Sequence, residues 1–212
     1  MPKNKDSRGL FRQPLSILSV IFILLGAILF FRGEGEKSGQ NSTFETTQNA
    51  MREAFGVFQD GADNGKVSLN SPDAKRLIGL LEAPTIGLSV MMVDYQNYND
   101  LETAAARMTN SASFGAPGSS IVIGHRTGFG HPFFDLDRLK TGAEISVTLR
   151  DTTVLHYIVR EQKIVAPDAD LSEYDRSDAA SQLILVTCTP KYSTKDRLLV
   201  IAELSDDVTA PA

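Results

Sequence analysis

The sequence predicts an all-β domain closed, or nearly closed, into a barrel, with short helices and one membrane-spanning helix ahead of it. Two observations predict it. From Val67 onward the chain runs through short β-like stretches separated by turn residues: RLIGLLEAP, IGLSVMMV, SSIVIG, AEISVTLR, TVLHYIVREQKIV, QLILVTC and RLLVIAEL. Seven or eight such runs in about 140 residues fit a barrel better than an open sheet. Ahead of them, Pro14–Phe31 carries no charged residue, and a helix of that length spans about 27 Å, close to the hydrocarbon thickness of a bilayer.

Taken in order, residues 1–13 hold Lys3, Lys5, Arg8 and Arg12 against Asp6. This bias keeps the N-terminus cytoplasmic and sends everything after Phe31 outside. Phe30–Glu34 lacks a small-residue cleavage site, so residues 14–31 read as an uncleaved anchor. Residues 32–66 are rich in Gly, Glu, Ser, Thr, Gln and Asn and read as a linker or stalk. Within it, Phe44, Met51, Phe55 and Phe58 recur at helical spacing, so Thr43–Gln59 predicts an amphipathic helix leading into the domain. Residues 67–212 form the extracytoplasmic domain. Inside it, Ala143–Arg160 predicts a hairpin, with Ile145, Val147 and Leu149 alternating before the turn Asp151–Thr153. Asn99–Met108 and Pro132–Lys140 predict helices, the first from its Asn/Asp start and the second from its leading proline.

Composition narrows the function. Of 21 basic and 26 acidic residues, 17 and 25 follow residue 13, and so acidic an exported domain is no nucleic-acid binder. A single cysteine, Cys188, excludes an intramolecular disulfide, so the core alone stabilises the domain. In an oxidising space that thiol is either buried filler or a reactive group.

A nucleophilic Cys188 needs a base or cation, access to a carbonyl, and donors for the oxyanion. His125 ends the apolar run Ser119–Gly124 at a loop and is the leading partner. His131, between Gly130 and Pro132, reads as a loop histidine, and His156, within Val154–Val159, as a strand-face residue. No ligand spacing supports a zinc site from His125, His131 and Cys188, and no cofactor is expected. If 183–188 and 198–204 are antiparallel neighbours, the hairpin returns Arg197 to Cys188, where a guanidinium could hold a carbonyl oxygen. Arg126 is a rival cation.

The constellation resembles the sortases, cysteine transpeptidases of the bacterial cell surface. Their TLxTC motif and downstream arginine match Ile184-Leu185-Val186-Thr187-Cys188 and Arg197, with the motif's first threonine replaced by Ile184. Pro84–Leu88 is similar to the family's "IPKIGL" strand, Phe114–Gly118 with Ile121–Arg126 to its "PG…IAGHR" segment, and Phe133–Gly142 to its helix and turn after the histidine. The resemblance covers roughly residues 75–204. It implies a membrane-anchored, eight-stranded sortase-type barrel with His125, Cys188 and Arg197 as the catalytic set and Thr187 orienting substrate. It also implies cleavage of a C-terminal LPxTG-like sorting signal through a thioacyl enzyme, then transfer to an amine of a cell-wall precursor or another protein. The single anchor and the block Gly124–Leu139 are similar to housekeeping or class D/E enzymes. Two rival readings are an L,D-transpeptidase, disfavoured by Val186-Thr187 before the cysteine, and a silent tethered β-domain binding a wall polymer or partner.

Overall fold

The computed structural model describes residues 39–56, 76–174 and 181–205. The chain divides into two compact units, Met1–Gly39 and Gln40–Ala212, and the strands all belong to the second. The anchor expected at 14–31 lies outside the described residues, among which no helix is long and apolar enough to cross a membrane.

Eight strands are present: β1 (Leu77–Ala83), β2 (Leu88–Asp94), β3 (Ala105–Arg107), β4 (Ser119–Ile123), β5 (Glu144–Leu149), β6 (Val154–Val165), β7 (Gln182–Thr189) and β8 (Asp196–Leu204). They close into a barrel in the order β1-β2-β3-β4-β7-β8-β6-β5. The pairs β2–β3 and β4–β7 are parallel and the other six antiparallel. The hairpin expected over 143–160 is β5–β6, closed by the Leu149 N–H donating to Thr153 O at 2.8 Å.

Alternation sorts the side chains into two layers. Leu183, Leu185, Leu198, Val200 and Ala202 enter the barrel core with Ile145, Val147 and Tyr157. Their neighbours Ile184, Val186, Leu199 and Ile201 face outward and pack with Ile121, Leu171 and Tyr174 in a second cluster. Strands covered on both faces lose the apolar–polar alternation, which explains the nearly continuous apolar runs of β7 and β8.

Two expected helices are corrected. Over Asn99–Met108 the chain forms only the 3-10 turn Tyr98–Glu102, with a capping box between Asn97 and Asp100, and then strand β3. Ala104, Ala105 and Ala106 are fully buried, and the ladder pairing of Ala105 and Ala106 with β2 and β4 outweighs alanine's helix preference, which is only about 0.5 kcal/mol per residue over common alternatives. Pro132–Lys140 likewise contains one 3-10 turn, Leu136–Arg138. Phe133, Leu136 and Leu139 are all buried in the barrel core, and that requirement replaces helical continuity.

The helix α1 (residues 39–56) contains most of the predicted amphipathic segment, while Phe58 lies outside the described residues. Phe44, Met51 and Phe55 are buried. On β2, strand β3 covers only Met92, Val93 and Asp94, which leaves the rest of that edge without a strand partner among the described residues. Buried Gln48 supplies partners at Met91: its Oε1 accepts from Met91 N at 2.7 Å and its Nε2 donates to Met91 O at 3.4 Å, and also to Thr103 O ahead of β3 at 2.8 Å. Arg52 adds a bond to Ser89 O at 2.8 Å. Covering a free strand edge in this way satisfies its backbone groups and blocks pairing with another chain.

Candidate active site

Two of the candidate residues lie on neighbouring strands, Cys188 on β7 and Arg197 on β8, and His125 lies on the loop two residues beyond β4. β4 runs parallel to β7 with Ile123 opposite Val186, so extending that register two residues brings His125 level with Cys188. Across the antiparallel β7–β8 pair, Cys188 lies directly opposite Arg197, where paired Cα atoms are about 4.5–5.5 Å apart. Ile123 and Val186 both face the outer cluster. The period of two therefore turns residues 125, 188 and 197 to the same side, and His125, Cys188 and Arg197 line one groove of about 510 Å³. Ile123 and Val186 form its apolar floor, and Tyr98, Tyr192 and Thr194 contribute to its walls. Cys188 is partly exposed and free of any disulfide.

The loop carrying His125 is pinned from several directions. Gly124 N donates to Val186 O at 3.2 Å, and Phe133 N donates to His125 O at 3.1 Å. A Cβ on Gly124 would fall 2.8 Å from the Phe133 ring, so close packing requires glycine there. The imidazole lies edge-on to Tyr98, with centroids 5.6 Å apart, and against Phe129 at 5.1 Å. Its Nε2 is buried with no hydrogen-bond partner among the described residues. Burial pushes the His125 pKa below its usual 6.5 and the charge of Glu102 opposes that only in part, so the neutral ring is favoured.

The two rival cations have different surroundings. Arg126 is turned inward and buried. It donates to Cys188 O at 3.3 Å, Thr189 Oγ1 at 3.1 Å and Phe134 O at 3.3 Å, and pairs with Asp137 at 2.8 Å. Its donors are committed to holding the backbone beneath the thiol. Arg197 is only partly buried, and its Nη1 donates to Thr194 O at 3.1 Å and Asp196 O at 3.2 Å. Its Nη2 and Nε have no hydrogen-bond partner among the described residues, so donors remain for a bound oxygen.

Thr187 is buried and faces away from Cys188, and its hydroxyl donates to Gly124 O at 2.8 Å. It ties β7 to the residue before His125. The other two histidines lie elsewhere. His131 packs on Phe134, and His156 on β6 pairs with Glu144 at 2.6 Å. Among the described residues no group of three His, Cys, Asp or Glu side chains could hold a metal ion.

Sequence reasoning missed Tyr98, Glu102, Phe129 and Tyr192. No local pattern marks them: Tyr98 and Tyr192 reach the groove from distant loops, Glu102 acts on His125 through its charge, and Phe129 meets the ring by a turn of its own loop. The inward turn of Arg126 did have a signal: adjacent residues of an extended segment face opposite sides, so His125 in the groove sends Arg126 the other way.

The sortase-domain family model matches residues 81–205, well over half of the chain. Comparison with curated protein sequences finds no match. Among solved structures, the sortase D5 transpeptidase of Clostridium perfringens is 23% identical with a TM-score of 0.59, over 77% of this chain and 99% of that one. Sortase C1 of Streptococcus agalactiae gives 23% and 0.59, over 77% and 90%. A sortase E variant from Streptomyces avermitilis gives 26% and 0.55, over 63% and 90%. With a barrel like theirs and the family's pattern matched across its strands, this chain belongs to the sortase domain family.

Proposed function

We propose that this protein is a membrane-anchored cysteine transpeptidase that cleaves an LPxTG-like C-terminal sorting signal and transfers the released acyl group to an amine. Residues 14–31 would cross the membrane, residues 1–13 would lie in the cytoplasm, and the barrel would work outside. In the first half-reaction His125 takes the Cys188 thiol proton, and the thiolate Sγ attacks the carbonyl carbon of the Thr–Gly type bond. Arg197 donates to the oxygen as negative charge develops there, and His125 delivers a proton to the leaving amine. In the second half-reaction an acceptor amine gives its proton to His125 and attacks the thioester, which restores the thiol. The acceptor is an amine of a cell-wall precursor or of another protein. A thioester keeps acyl energy for aminolysis and divides one hard substitution into two easier ones.

The observation that carries this reading is the shared groove: the imidazole on the loop that leaves β4 lines it together with the thiol of β7 and the guanidinium of β8, whose donors are partly uncommitted, above an apolar floor. That floor suits the aliphatic part of a sorting signal. Thr187 contributes to the lining of the groove beside Cys188, and its hydroxyl, which holds the Gly124 carbonyl and so the loop of His125, orients substrate through that loop. The Gly124–Leu139 block supports a housekeeping or class D/E-like enzyme.

The test is incubation of the full-length chain with fluorogenic sorting peptides, with and without an amine acceptor, beside Cys188→Ala and His125→Ala. Wild type should cleave and transfer, Cys188→Ala should do neither, and His125→Ala should lose several orders of magnitude in turnover. Equal turnover by wild type and Cys188→Ala overturns the enzyme reading. Binding of wall polymer with no turnover by any form points to the tethered binding domain instead.

A further inference from the structure

Helix α1 does more than cover the β2 edge, because its first turns touch the loop that follows His125. Asn41 Oδ1 accepts a hydrogen bond from the Gly130 N–H at 3.0 Å. Phe44, one turn on, is buried in the barrel core and presses against the same residue: a Cβ on Gly130 would fall 2.1 Å from the Phe44 ring. Gly130 has φ +69°, which favours glycine, and its neighbour Phe129 has φ +48°. A side chain in the left-handed region persists only where its surroundings hold it, and here α1 is that surrounding. Phe129 in turn lays its ring against the His125 imidazole at 5.1 Å. The contacts thus run without a gap from α1 through Gly130 and Phe129 to the imidazole.

We propose that Asn41 and Phe44 of α1 are positioning residues for His125, acting through Gly130 and Phe129, so that a segment preceding the barrel sets the placement of the ring. The kinetic consequence rests on the transpeptidase reading above, whereas the placement itself does not. When the clasp opens, Phe129 leaves the ring, water enters, and the imidazole swings out of line with Cys188. A misplacement of about 1 Å can cost about a hundredfold in rate while leaving ground-state binding intact.

Two variants separate this from general loss of structure. Asn41→Ala removes an exposed acceptor and spares the core. Gly130→Ala forces the loop off Phe44 from the other side. Asn41→Asp retains an acceptor oxygen. Each is made in the full-length chain, and two quantities are read: the NMR titration of the His125 ring, and kcat and KM with a sorting peptide. The titratable groups facing that ring are Tyr98 and Glu102 after β2, Cys188 on β7, Arg197 on β8 and Tyr192 between them, and none is changed. The His125 midpoint should rise toward 6.5 in Asn41→Ala and Gly130→Ala as burial is relieved. Their kcat should fall about tenfold or more with KM held within about twofold, and Asn41→Asp should behave as wild type in both readings. An unchanged His125 midpoint in Asn41→Ala and Gly130→Ala overturns the proposal, whether or not wild type turns over peptide. A raised midpoint with an inactive wild type supports the clasp and overturns the transpeptidase reading alone.

Discussion

Replacing Arg126 should unfold the protein earlier, whereas replacing Arg197 should leave stability nearly unchanged and stop turnover. Arg126→Ala deletes bonds to Cys188 O, Thr189 Oγ1 and Phe134 O from a side chain that is only 3% exposed. Bonds made by charged donors contribute about 1.5–3 kcal/mol each, and lengths of 3.1–3.3 Å place these at the lower end. Asp137 is 48% exposed, so water replaces its lost partner at a cost under about 1 kcal/mol. The sum is about 4.5–5.5 kcal/mol, at the top of the range for breaking a buried charged cluster. At about 2–4 °C per kcal/mol for a domain of this size, the melting midpoint should fall on the order of 10 °C. Among the described residues Arg197 bonds only to carbonyls of its own turn, so Arg197→Ala should melt within about 2 °C of wild type while kcat falls about a hundredfold or more. Thermal unfolding by near-UV circular dichroism, paired with peptide turnover, gives both values. If Arg126→Ala melts within about 2 °C of wild type, or Arg197→Ala melts as low as Arg126→Ala, the division between clamp and reacting cation is wrong.

Thr187→Val removes a buried donor and leaves Gly124 O unsatisfied, which should cost about 1–3 kcal/mol and lower kcat more than it raises KM. A kinetic loss confined to KM would return Thr187 to direct substrate contact. His125 has its folded-state pKa lowered from 6.5 by burial, so the unfolded chain binds the extra proton first. Stability is therefore fully present above pH 6.5 and is lost as pH falls from there through the folded-state value. Denaturant midpoints from pH 7.5 to 5 should show this slope, and a His125→Asn variant that keeps it would assign it to another group. A thiol-reactive sorting-peptide analogue should label Cys188 covalently in wild type and not at all in Cys188→Ala, as read by intact-protein mass spectrometry.

Seven of the eight strands were legible because their side chains alternate or form apolar runs bounded by turns. β3 was not: Ala104–Ala106 reads as helix, and only contact with β2 and β4 makes it extended. The pairing of Cys188 with Arg197 was legible from one local hairpin. The approach of His125 to Cys188 depends on the parallel β4–β7 pair, whose partners are far apart in sequence and carry no local signature. Family motifs supplied that association where periodicity could not. The spacing of Phe44, Met51 and Phe55 announced an amphipathic helix, but nothing in it revealed that Phe44 would enter the barrel core.

Residues 188 and 197 owe their spacing to the β7–β8 ladder, whereas His125 stands just beyond β4 on a loop bonded to Val186 and Phe133. The described part of the β6–β7 connection packs against this centre, with Leu171 and Tyr174 beside Val186. Re-engineered selectivity therefore has to conserve those packing residues while segments farther from the groove are exchanged.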